Sequence, residues 1–171
     1  MRTMERDKLR EELKYIFENV NHWLGVAETK NAGLLAINIA IIAAVLSSNV
    51  MEQCFIFSII IIIGVLLSTG ICFIALTPIL GKIKKERNEK SEDDNPLFFA
   101  DIAKYDYMEY LDFVKRRYGD ELFEWGNYEK DLAKEIVENS RNACLKYMLF
   151  KMGVKIEIFI IVICIVCLII A

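Results

Sequence analysis

The chain has 171 residues, 55% of them hydrophobic, and a formal net charge of −3. Because its 21 basic and 24 acidic residues nearly cancel, no basic field favours the binding of nucleic acid. Its one histidine, His22, has no companion at metal-ligand spacing, and the sequence contains no recognisable catalytic set. We therefore expect no enzymatic activity, no metal site and no cofactor.

Residues 1–31 predict an amphipathic helix that leads to a membrane. Apolar side chains recur at intervals of three and four residues between charged positions, as on one face of an α-helix. These side chains are Leu9, Leu13, Ile16, Val20, Leu24 and Ala27. We expect residues 4–48 to form a single long helix.

Three apolar runs predict three transmembrane helices, at residues 32–51, 54–80 and 156–171. Lys30 and Glu52 are separated by 21 uncharged residues, and Glu52 and Lys82 by 29; about 20 are needed to cross a bilayer core. The last run is short, about 24 Å as a helix, and its Ile and Val content also suits a strand. A strand, however, usually ends within about 4–8 residues. The predicted fold class is an all-α integral membrane protein with three transmembrane helices and a small cytoplasmic helical region.

The positions of the basic residues predict the topology. Six lysines and arginines lie in residues 1–31, fifteen lie in residues 82–155, and none lies between these segments. Because Lys and Arg are retained on the cytoplasmic side, both segments are expected in the cytoplasm and the C-terminus outside.

Residues 82–155 predict a cytoplasmic linker followed by helices. Five bases follow the second apolar run and could anchor the linker to anionic lipid: Lys82, Lys84, Lys85, Arg87 and Lys90. Asp106 and Glu109 form a variant of the capping box, which predicts a helix that Gly119 ends. Asn127 is expected to cap a last helix that continues into the third apolar run.

The first apolar run carries two features that suggest helix contacts. Small residues repeat every four positions and let two helices approach closely in lipid: Ala32, Ala36, Ala40, Ala44 and Ser48. The partner helix could be the second span or the same span of another subunit. Asn38, a polar amide within this run, is expected either to hydrogen-bond another helix or to line a wet path.

Several segments resemble the Pycsar transmembrane effector family. The first span begins with Ala27-Glu28-Thr29-Lys30-Asn31 and Gly33-Leu34-Leu35-Ala36-Ile37-Asn38. The later segments follow in the same order as in the family: Phe98-Phe99-Ala100-Asp101-Ile102, Glu109-Tyr110-Leu111, Asp131-Leu132, Asn139-Ser140 and Lys146-Tyr147. The resemblance covers most of the chain. Some relatives resemble fusions to a hydrolase-type or nucleotide-binding domain, and we expect no such extension here.

The resemblance implies a bacterial antiphage effector that responds to cyclic CMP or cyclic UMP from a partner nucleotide cyclase. Such an effector impairs the inner membrane and so causes abortive infection, and we expect a homo-oligomer in the lipid bilayer. Lys30, Arg141 and Lys146 lie in the matching segments and are the candidate contacts for the cyclic nucleotide. Three alternatives are a non-conducting anchor or assembly protein, an effector of another second messenger, and a holin-like toxin without a ligand.

Overall fold

The computed structural model describes residues 2–47, 55–78, 89–119 and 124–170. The helices in these ranges are α1 (Arg2–Ser47), α2 (Phe55–Leu76), α3 (Phe99–Ile102), α4 (Tyr107–Tyr118) and α5 (Asn127–Ile170). The described residues include no β-strand. The prediction of an all-helical chain is therefore confirmed.

The chain divides into two compact units. Unit 1 comprises Met1–Val26 and Ile79–Leu145, and unit 2 comprises Ala27–Pro78 and Lys146–Ala171. α1 and α5 are each continuous helices that contribute residues to both units. The expected single helix is observed as α1 up to Ser47, and residue 48 lies outside the described residues.

Unit 1 has a core built from the predicted amphipathic face of α1. Four of the predicted residues in this unit are buried: Leu9, Leu13, Ile16 and Val20. The core also contains Ile102 of α3, Leu111 of α4 and Ile136 of α5, all with 1% exposure or less. Trp23 of α1 packs near Phe99 of α3, with 6.1 Å between the ring centroids.

The ends of the shorter helices follow local capping chemistry. The side chains of Asp106 and Glu109 form the predicted capping box at the start of α4, and Gly119 follows its last residue. Asn127, however, is the first residue of α5 and not its cap, because Lys130 N donates to Gly126 O. Most of the predicted basic linker, residues 82–88, lies outside the described residues.

Unit 2 joins the apolar parts of α1, α2 and α5. Its core contains Val45, Ile61, Val65 and Ile160. A Cβ atom on Gly153 of α5 would lie 2.6 Å from Leu34 Cδ2 of α1, so these helices approach closely at this glycine. α2 ends at Leu76, and Thr77 and Pro78 follow it without helical structure.

Two helices of the described chain are long and apolar enough to cross a membrane, one within Asp7–Ser47 and one at Phe55–Leu76. The part of α5 whose side chains the structure describes does not meet the same test, and the third span remains a prediction. Many large apolar side chains of unit 2 are exposed, such as Ile56 at 72% and Phe159 at 62%. Lipid would cover such side chains in a membrane.

Candidate functional site

Unit 1 contains a cavity of about 510 Å³ between the loop that precedes α3 and helix α4. This volume lies within the range of about 300–1,000 Å³ that is typical of small-molecule sites. Basic, acidic, aromatic and hydroxyl groups line the cavity: Lys90, Ser91, Glu92, Tyr105, Phe113, Arg116 and Arg117.

An aromatic pair forms one wall of the cavity. The rings of Tyr105 and Phe113 are stacked, with 5.1 Å between their centroids and 6° between their planes. Tyr105 Oη also donates to Asp94 Oδ2 at 2.9 Å. Burial, followed by this bond to a carboxylate, raises the pKa of Tyr105 to about 12, so its hydroxyl stays protonated.

Asp94 holds the loop that carries this side of the cavity. Its carboxylate accepts from Ser91 N at 3.1 Å, Tyr105 Oη at 2.9 Å and Lys104 Nζ at 2.7 Å. Desolvation alone would raise the pKa of Asp94, but the hydrogen bonds from Lys104, Ser91 and Tyr105 lower it overall. The ionised Asp94 therefore fixes Ser91 and Tyr105 relative to each other.

Three cations, Lys90, Arg116 and Arg117, are among the lining residues of the cavity. Lys90 Nζ lies 2.6 Å from Glu109 Oε1 and 5.3 Å from the centroid of the Tyr105 ring. Arg116 and Arg117 are exposed in the last turn of α4. Guanidinium groups bind phosphate through paired hydrogen bonds, and aromatic rings contact planar ligands. The arrangement suits an anionic ligand that carries a flat ring.

Arg141, a predicted ligand contact, is bound within unit 1. Its Nη2 donates to Tyr105 O at 2.8 Å and its Nε to Ala103 O at 3.3 Å. It also pairs with Asp106 and Glu138, and only 8% of its side chain is exposed. These contacts tie α5 to the segment between α3 and α4.

Lys30 and Lys146, the other two predicted ligand contacts, both belong to unit 2. Lys146 is buried, and its Nζ donates to Glu28 Oε1 at 2.6 Å. Lys30 is exposed, and its Nζ lies 5.1 Å from the centroid of the Tyr147 ring. Neither lysine lines the cavity of unit 1.

The polar and small residues of the first span occupy different faces of α1. Asn38 is fully buried, and its side-chain amide contacts α2 and α5. Ala36, Ala40 and Ala44 are exposed, so they do not form the packed contact with α2 within one chain. The sequence left two partners open for these alanines, the second span and the same span of another subunit. Contact with another subunit stays a prediction.

Sequence reasoning missed the residues of the cavity. The available signals were the basic run Lys115-Arg116-Arg117 at the end of a predicted helix and the tyrosine before that helix. Lys90 was interpreted as one of five lipid anchors, but it contacts Glu109 and Tyr105. The other four bases lie outside the described residues.

The chain matches the family that its sequence resembles. The family model described as Pycsar effector protein domain matches residues 12–171. The chain belongs to the Pycsar effector family. No curated protein and no solved structure matches it.

Membership gives the Pycsar effector a general role. It is an antiphage defence effector that belongs with a cyclase system. Family and composition agree on membrane association, since two of its helices are apolar enough to span a bilayer.

Proposed function

We propose that this Pycsar effector binds cyclic CMP or cyclic UMP in the cavity of unit 1 and then impairs the bacterial inner membrane. The observation that carries the proposal is the combination of Arg116, Arg117 and Lys90 with the Tyr105–Phe113 pair around one cavity. The result of activation would be abortive infection, in which the cell stops supporting the phage.

The lining groups match the parts of a cyclic pyrimidine nucleotide. The cyclic phosphate carries one negative charge, which Arg116 and Arg117 can bind through charged hydrogen bonds. The base can contact the aromatic wall. Ser91 and Glu92 supply a hydroxyl and a carboxylate that can hydrogen-bond to the polar edge of the base.

The membrane part of the proposal keeps the topology expected from the basic residues. α1, α2 and the apolar end of α5 would span the membrane, with the N-terminus and residues 82–155 in the cytoplasm and the C-terminus outside. Packing of α5 against α1 and α2 in the core of unit 2 supports the third span. The exposed stripe of Ala36, Ala40 and Ala44 would contact another copy of the chain.

A membrane-damaging effector must be silent before infection. Moving a two-state equilibrium from 1:99 to 99:1 requires about a 10⁴-fold preference of the ligand for the active state. α1 and α5 are unbroken helices that contribute to both units. A ligand that displaces either helix in unit 1 therefore also acts on the residues that the same helix supplies to unit 2.

The experiment measures membrane potential with a potential-sensitive dye in cells that carry the effector, with and without the cyclase. We expect depolarisation only with the cyclase, and loss of this response in the Arg116→Glu variant. Lys115→Glu is the matched control, because Lys115 precedes Arg116 on α4 but does not line the cavity.

Depolarisation without the cyclase would indicate a holin-like toxin. A stable potential while cyclic nucleotide accumulates would favour a non-conducting anchor, or an effector of another second messenger. Equal responses of the Arg116→Glu variant and wild type would remove the cavity from the proposal.

A further inference from the structure

A buried polar cluster lies among the apolar side chains of unit 2. α1 contributes Asn38, α2 contributes Ser68 and Thr69, and α5 contributes Glu157. In the amide orientation that satisfies its neighbours, Asn38 Nδ2 donates to Glu157 Oε1. Asn38 Oδ1 then accepts from Ser68 Oγ at 3.1 Å and from Thr69 Oγ1 at 3.2 Å.

Glu157 is the acidic residue of this cluster. Its side chain is 5% exposed. Among the described residues, none donates a hydrogen bond to Glu157 Oε2. Lys146, the buried cation of the same unit, is paired with Glu28.

An ionised carboxylate surrounded by apolar groups is costly unless a positive charge lies beside it. Carboxylates within transmembrane segments commonly mark the paths of ions for this reason. The oxygens of carboxylate and hydroxyl groups can also replace the water around a monovalent cation. Glu157, Ser68 and Thr69 carry these two kinds of oxygen.

We propose that Glu157, together with Asn38, Ser68 and Thr69, forms a binding site for a monovalent cation such as Na⁺ or K⁺. The unpaired Glu157 Oε2 supplies the charge, and the hydroxyl groups of Ser68 and Thr69 supply neutral oxygens. Asn38 positions these groups, because its Nδ2 donates to Glu157 Oε1 and its Oδ1 accepts from both hydroxyl groups. If the proposed membrane impairment is correct, on which this consequence rests, the activated effector passes cations in preference to anions.

The binding site is tested by thermal unfolding of the full-length protein in detergent. NaCl or KCl is compared with choline chloride at equal ionic strength, because choline is too large for a site formed by these side chains. Binding to the folded state raises Tm, and we expect a rise of about 2–4 °C in Na⁺ or K⁺ for wild type. Glu157→Gln keeps the shape of the side chain but removes its charge, and should abolish the rise.

Two further variants keep the test decisive where Glu157→Gln fails to fold. Thr69→Val removes one hydroxyl oxygen with little change in shape and should reduce the rise. Ser58→Ala is the control, since Ser58 is a buried hydroxyl residue of α2 outside the cluster. Equal rises in wild type, Glu157→Gln and Thr69→Val, or no rise in wild type, would overturn the cation site.

The consequence for permeability is measured separately in phosphatidylethanolamine and phosphatidylglycerol vesicles that contain the protein. A KCl gradient and cyclic CMP or cyclic UMP are applied, and the reversal potential gives the preference for K⁺ over Cl⁻. We expect a cation preference in wild type that Glu157→Gln loses. A salt-specific rise in Tm without any ligand-dependent flux would contradict the proposed function but not the cation site.

Discussion

The ammonium group of Lys146 lies 2.6 Å from Glu28 Oε1, and only 2% of the lysine side chain is exposed. Asn31 contacts the backbone of Lys146, since its Nδ2 donates to Lys146 O at 3.1 Å. Lys146 therefore connects α5 to two positions of α1 within unit 2. A residue with these contacts stabilises helix packing and has little surface left for a ligand.

Lys146→Met should leave nucleotide binding unchanged. Removing one partner of an ion pair is costly when the other charge stays buried, but Glu28 is 48% exposed and can be hydrated once Lys146 is replaced. Glu28→Gln should instead lower the free energy of unfolding by about 1–3 kcal/mol, because it leaves a buried ammonium without its carboxylate. Calorimetric titration with cyclic CMP measures nucleotide binding, and thermal unfolding measures the loss of stability. If Lys146→Met is stable but binds cyclic CMP much more weakly, Lys146 is a ligand contact after all.

Arg116→Ala should weaken the binding of cyclic CMP or cyclic UMP by about 10–100-fold. A hydrogen bond to a charged group contributes about 1.5–3 kcal/mol, and the phosphate would lose one such partner. Titration calorimetry on the purified protein measures the affinity. Lys115→Ala removes a charge from the same helix turn outside the cavity and should keep wild-type affinity; equal losses in both variants would point to general electrostatics.

Asp94 should make unit 1 sensitive to acid. The pKa of Asp94 in the folded protein lies below its ordinary value of 3.8. The stabilisation from its ionised form is therefore complete above that value and is lost as the pH falls through the folded-state pKa. Asp94→Asn should lower the free energy of unfolding at neutral pH by about 1–3 kcal/mol.

The measurement is thermal unfolding of wild type and Asp94→Asn over a series of pH values from neutral to acid. The difference in stability between the two proteins should shrink as Asp94 of the wild type becomes protonated. A difference that is constant down to strongly acid pH would contradict the role assigned to the ionised carboxylate.

Ala40→Leu should weaken self-association without disturbing the packing of one chain. Ala40 is exposed on α1, so a larger side chain there meets a second copy and not α2 or α5. Overpacking of a close contact costs about 1–3 kcal/mol. Chemical cross-linking in detergent measures the oligomer, and Ala43→Leu adds the same volume at an exposed position off the stripe. An unchanged ladder of cross-linked species in Ala40→Leu would remove the stripe from the assembly.

Local patterns were sufficient to predict the long helices. The face of α1 that carries Leu13 and Ile16 repeats at helical spacing, and the capping box of Asp106 and Glu109 lies within four residues. Both signals depend on neighbours in sequence. The four-residue helix α3 was not predicted, because its residues Phe99 and Ile102 are held by packing in the core of unit 1.

The sites depend on contacts between distant segments, and for this reason sequence reasoning found them only in part. Asn38 was predicted to meet another helix, but its pairing with Glu157 is set by the register of α1 against α5. The rule that charged residues in a transmembrane segment are functional could have selected Glu157. The cavity likewise requires the loop that Asp94 folds between Ser91 and Lys104.

Trp23 packs near Phe99, and the second tryptophan of the chain, Trp125, also belongs to unit 1. Unit 2 contains no tryptophan. Tryptophan fluorescence, excited where tyrosine does not absorb, is therefore an optical signal of unit 1 alone. Lipids with bromine at the middle of their acyl chains should quench this emission little if unit 1 is outside the bilayer. A spectral shift on adding cyclic nucleotide would report events around the cavity without any attached label.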